Sequence, residues 1–133
     1  MVLAVTFAMS QSIEDLTAIL SGTPELTVTE PESGFPVIEV QTPVSAATIA
    51  LHGAQVLTWA PTDHPPVLYV SPKAKMNEGK ALRGGIPICW PWFGNHPDDP
   101  EMPAHGFVRT RFWELVSGEM GGKMATLVCI LVS

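Results

Sequence analysis

Basic charge is scarce in this chain. Seven Lys and Arg stand against thirteen Asp and Glu in 133 residues, and the net charge of −6 leaves no electrostatic footprint for nucleic acid or an anionic membrane. Cysteine is scarcer still: Cys89 and Cys129 lack C-x-x-C spacing, so neither a zinc knuckle nor a redox motif is supported. Both stand in apolar runs, IPICWP and LVCILV, and are expected as buried free thiols in a reducing, cytoplasmic compartment. His52, His64, His96 and His105 have no H-x-H or H-E-x-x-H spacing, so no metal site is expected. G-x-S-x-G elbows, Walker loops and dinucleotide fingerprints are missing too. No apolar run is long enough to span a bilayer. The opening MVLAVTFAMSQS has no basic n-region and reads as a poorly ordered or edge segment, not a signal peptide.

Proline, by contrast, is plentiful. Thirteen prolines are about twice the usual share, which favours loops and turns over a helical bundle. With 46% hydrophobic residues the composition is globular, and the length suits one domain. One short helix is predicted over SIEDLTAIL, with Ile13, Leu16 and Leu20 at helical spacing and Ser12 and Asp15 set as a capping box. Strands are predicted from LTVTE (26–30), PVIEVQ (36–41), VSAATIAL (44–51), GAQVLTWA (53–60) and VLYVS (67–71). His52 and Gly53 fall between two of these runs as a hairpin turn. Residues 72–110 show little periodicity, and an irregular stretch of that length in a compact domain points to function. Strands resume at RFWELVS (111–117) and KMATLVCILVS. Such an apolar last strand expects a neighbour to cover it, so residues 1–133 read as a single incomplete domain with a helical or poorly ordered lead-in over 1–25.

Six of the seven basic residues, Lys73, Lys75, Lys80, Arg83, Arg109 and Arg111, lie in 73–111, which makes that stretch about +2 and the rest of the chain about −8. A small anionic ligand suits this asymmetry, while Lys73 and Lys75 also read as a solvated loop. Arg83 precedes Gly84 and Gly85, where the backbone can take positive φ, and its planar fork suits a carboxylate or phosphate. Pro87 and Pro91 are expected to hold CWPW extended along an edge or cavity. Trp90 and Trp92 fit either a stacking wall for a sugar ring or core aromatics. If 107–109 is extended, His105 and Arg109 share a face and form an anion or hydroxyl site; a turn histidine bonded to backbone fits equally. Asp98 and Asp99 read as a solvated loop and Glu114 as a surface strand residue.

ALRGGIPICWPWFG followed by PAHGFVRTRFWEL resembles the bacterial hexose-6-phosphate mutarotases, or glucose-6-phosphate 1-epimerases, of the aldose 1-epimerase group. Upstream, GAQVLTWAP and VLYVSP extend the likeness over most of 36–117. The resemblance implies an all-β fold, part of a large antiparallel β-sandwich of the galactose-mutarotase-like kind, broken off mid-sheet. It also implies that Arg83 and Arg109 grip a substrate phosphate and that His105 lies at the cleft wall, whereas Ala104 replaces a residue that can be Gln in relatives. The implied reaction interconverts hexose 6-phosphate anomers without metal or redox cofactor, in an enzyme that is monomeric when complete. In that family the catalytic His, in an HTYF-like motif, and the catalytic Glu lie further along, and neither motif occurs here. A non-catalytic β-sandwich that binds sugar phosphates is the alternative.

Overall fold

The computed structural model describes residues 11–132. Of the lead-in expected over 1–25, the first ten residues lie outside them. Helix α1 (Ile13–Leu20) opens as its sequence dictates: Ser12 accepts the Asp15 N–H while the Asp15 carboxylate accepts the Ser12 N–H. That reciprocal cap satisfies two of the donors a helix start leaves open. It also holds the Asp15 carboxyl below its ordinary range, through its backbone and then its side-chain hydrogen bond to Ser12. Leu16 and Leu20, four residues apart, are the buried face.

Four antiparallel strands follow in sequential order, β1 (Leu26–Glu32), β2 (Phe35–Gln41), β3 (Ser45–Ala50) and β4 (Gln55–Pro61). A second sheet is the hairpin β5 (Glu114–Gly121) and β6 (Met124–Ile130). The fold is thus mostly β with antiparallel sheets and one short helix, as the sequence pattern and the resemblance lead one to expect. Strand β2 is buried on both faces. Ile38 and Val40 join Leu16, Leu20, Leu26, Leu51 and Leu115 in the main core, while Val37 packs with Ala50, Leu57 and Leu82 in a second cluster. Alternation of side chains along one strand therefore supplies two cores at once.

Opposite Thr48 and Ile49, strand β4 carries an extra residue, because Thr48 pairs Thr58 and Ile49 pairs Val56. That residue is Leu57, and the bulge delivers it to Leu82 in the second cluster. The sheet is thereby tied to the segment just before Arg83.

Three expectations fail. VLYVS is not a strand: only Val70 forms a bridge, to Gly84, and Tyr69 is 72% exposed. Two prolines precede it, and its partner segment runs alongside for only a few residues. Residues 111–113 do not begin β5, because Phe112 is held in a bridge to His52 and the Trp113 N–H donates to Leu51. The two cysteines are free, as expected, but only half-buried. Burial still pushes the Cys129 thiol up from its ordinary value. No helix of the described residues is long and apolar enough to cross a membrane.

Candidate functional site

The β3–β4 hairpin carries both halves of the basic region. At the start of β4, the Ile86 N–H donates to Val56 at 2.8 Å, while the Gly85 N–H donates to Tyr69, beyond the hairpin, at 2.9 Å. A Cβ on Gly85 would collide with the Val56 carbonyl, and one on Gly84 would sit 2.5 Å from the Tyr69 carbonyl. These two glycines, both at positive φ, let backbone lie against backbone. The close approach expected of them toward a ligand is made toward the chain itself. Between these contacts Arg83 stands exposed, and its guanidinium has no partner among the described residues.

At the turn end of the hairpin, the Gly53 N–H donates to Arg111 at 2.7 Å, and the Trp113 N–H to Leu51 at 2.9 Å. His52 is buried within the turn, 1% exposed, with edge contacts to Phe35 and Phe112 at centroid distances of 5.5 and 5.1 Å. Neither ring nitrogen has a hydrogen-bond partner of good geometry among the described residues. Loss of solvation lowers the His52 pKa from 6.5, against smaller opposing pulls from the Thr110 carbonyl and the Glu78 carboxylate. The sequence marked this histidine only as a turn residue. The apolar runs on either side were the available signal for its burial.

Residues 90–107 fold back on themselves. CWPW forms no strand and makes only an isolated bridge, Trp90 to Gly106, and the Trp90–Pro91 peptide is cis. The Phe107 N–H donates to the Trp90 carbonyl, and Gly106 lies flat on the same peptide. His105 and Gly94 clasp each other: the His105 N–H donates to Gly94 at 2.7 Å, and Nδ1 accepts the Gly94 N–H at 3.1 Å. With Nδ1 an acceptor, the neutral ring carries its proton on Nε2. Trp92 donates to Pro103 and meets Phe107 edge-on at 4.9 Å. Trp90 is 63% exposed, which makes it a surface aromatic, not a core one. Asp98 and Asp99 are exposed, and both backbone N–H groups donate to His96 Nδ1.

His105 and Arg109 are not set side by side through strand alternation. Residues 108–110 form a single 3-10 turn, and His105 has φ of 67°, so the segment curls instead of extending. The Arg109 guanidinium reaches back through Nη2 to the Ala104 carbonyl at 2.8 Å, beside His105. Its Nε is buried without a partner among the described residues. Arg83 sits on the separate, β4-docked segment, and no hydrogen bond joins it to His105 or Arg109. Next to these segments a mostly apolar cleft of about 500 Å³ is lined by Ile88, Trp90, Val108, Arg111, Trp113 and Leu131. Among the described residues, no group of three or more His, Cys, Asp or Glu side chains converges.

Comparison with known proteins agrees with this architecture. An Escherichia coli protein named "Putative glucose-6-phosphate 1-epimerase" is 44% identical over 80 residues, which are 60% of this chain and 27% of its own length. A protein of the same name from Cenchrus ciliaris is 45% identical over 69 residues, 52% of this chain and 20% of that protein. The chain thus spans about a quarter or less of the length of these curated relatives. A crystal structure of a Salmonella typhimurium protein described as a "putative mutarotase" superposes with a TM-score of 0.77 at 37% identity, over 84% of this chain and 37% of that one. The profile of the Aldose 1-epimerase family matches residues 36–131. With most of its length inside that match, from β2 through the β5–β6 hairpin, the chain belongs to the aldose 1-epimerase family.

Proposed function

We propose that this chain forms the phosphate-binding part of an enzyme that interconverts the α and β anomers of hexose 6-phosphates. The observation that carries the reading is the common mounting of the two arginine segments on one hairpin, with the Arg83 fork unengaged. A sugar phosphate is largely dianionic at neutral pH, and a guanidinium offers its oxygens paired donors in a fixed plane. Arg109 is braced by the Ala104 carbonyl, which holds one face of its fork while leaving other N–H groups to a ligand. The His105 Nε2–H supplies a further donor for a hydroxyl or phosphate oxygen.

Anomer exchange requires a base to take the proton of the anomeric hydroxyl and an acid to protonate the ring oxygen. The ring opens, the aldehyde turns, and closure on its other face gives the second anomer. Each proton-transfer group contributes about a hundredfold or more. In this reading Arg83, Arg109 and His105 hold the substrate, and neither catalytic group belongs to this chain, which is inactive alone.

Calorimetric titration of the 133-residue chain with glucose 6-phosphate and with glucose tests the reading. Binding of the phosphate ester alone is expected, weakened about tenfold or more by Arg83→Ala, since hydrogen bonds to charged groups contribute roughly 1.5–3 kcal/mol. Equal binding of glucose and its phosphate refutes the anion grip. Saturable mutarotation by the isolated chain refutes its inactivity.

A further inference from the structure

A fully buried amide sits behind the exposed arginine. Gln55, the first residue of β4, is 0% exposed, and its Nε2 donates to two carbonyls at once, those of Leu82 at 3.4 Å and of Gly84. These are the carbonyls on either side of Arg83. The Arg83 carbonyl itself accepts the Ser71 N–H at 3.2 Å. Three successive carbonyls are thus each held by a donor, two of them by one side chain that reaches across from the hairpin. Leu82 anchors the same turn from its other side by packing on Leu57, Val37 and Ala50.

Such an arrangement satisfies two carbonyls of the turn from a residue outside it. Burying a primary amide costs free energy unless it is hydrogen-bonded, and Gln55 leaves its Oε1 unpartnered among the described residues while both N–H groups are engaged. An apolar side chain of similar length fills the space but leaves the Leu82 and Gly84 carbonyls without this donor. What it cannot do is clamp the backbone from which Arg83 projects.

From this geometry we infer that Gln55 is the positioning residue for Arg83, fixing the direction in which its guanidinium meets an anionic ligand. The inference rests on the phosphate-binding reading above. An arginine on a loose turn loses entropy whenever it binds, whereas one on a clamped turn has lost much of it already. Gln55 acts on affinity through Arg83 and touches no ligand.

A double-mutant cycle on the full chain decides the matter, with inorganic phosphate as the probe and NMR shifts of the ¹⁵N-labelled protein as the readout. Gln55→Met keeps the length and removes the donors, and should weaken phosphate binding about three- to tenfold. Arg83→Ala should weaken it further, and the double variant should bind no worse than Arg83→Ala alone. An unchanged affinity in Gln55→Met, or the same loss in the Arg83→Ala background, overturns the inference and leaves the phosphate reading standing. Wild-type affinity in Arg83→Ala removes the phosphate reading itself, and this inference with it. If Gln55→Met does not fold, the wild type decides: the Gln55 side-chain amide signals should shift on phosphate addition, and should stay still in Arg83→Ala. Amide signals that do not respond in the wild type overturn the proposal.

Discussion

Gly94 and Gly106 offer a controlled comparison, because both have φ of 74° and their surroundings are opposite. Nothing lies within 4 Å of a Cβ added at Gly94, whereas one at Gly106 would collide with the Trp90 carbonyl and lie 2.8 Å from the Pro91 nitrogen. Alanine at either position meets the left-handed penalty of roughly 1–2 kcal/mol. At Gly106 the backbone must also separate from Trp90. That costs the Phe107 N–H bond to Trp90, about 1 kcal/mol, and strains the Trp92–Phe107 edge contact, worth up to about 1 kcal/mol. Gly106→Ala is therefore expected to be less stable than Gly94→Ala by about 2 kcal/mol. With a slope of about 2 kcal/mol per molar urea, the unfolding midpoints should differ by about 1 M. Coincident midpoints would refute the claim that close backbone packing holds residues 90–107 folded back on themselves.

Further outcomes follow for His52 and the two arginines. His52 has its pKa lowered below 6.5 by burial, so as the pH falls the unfolded chain takes up the proton first; stability is complete above that value and declines as the pH drops toward the folded one. Thermal melts between pH 7.5 and 5.5 should show this slope in the wild type and a flatter one in His52→Phe, and identical slopes would assign the pH dependence elsewhere. Arg83→Ala should leave the stability measured by urea unfolding within about 0.5 kcal/mol of wild type, because the side chain is exposed and unpartnered among the described residues. Arg109→Ala should cost about 1 kcal/mol through the lost bond to Ala104, and the reverse order would contradict the geometry.

The regular elements were legible because local chemistry decides them. Ser12 and Asp15 cap α1 with their own side chains, and the runs on either side of His52 and Gly53 pair as a hairpin whose turn those residues occupy. Residues 72–110 resisted reading because long-range backbone contact organises them. No periodicity in CWPWFG announces that Gly106 will lie on the Trp90 peptide, or that Gly94 and His105 will clasp one another. His105 and Arg109 were expected on one face of an extended segment, whereas the segment curls and Arg109 bonds to the Ala104 carbonyl. Gln55 was invisible for a related reason. A glutamine opening a strand carries no local mark of burial, and its two acceptors lie 27 and 29 residues away.

Both arginine segments rest on the hairpin, so their spacing does not depend on the residues that join them. The excursion through 95–103 is held to the rest mainly by His105 and Trp92 at its base, and at its tip it bonds chiefly within itself, around His96 and Asp99. Chain added between Asp99 and Pro100 costs a little loop entropy and the local bonds from Glu101 and Met102 to Asp99, and breaks no bond of either basic segment. That tip is accordingly a natural insertion point, where a reporter or affinity tag can be spliced into the chain beside the site without altering what the site measures.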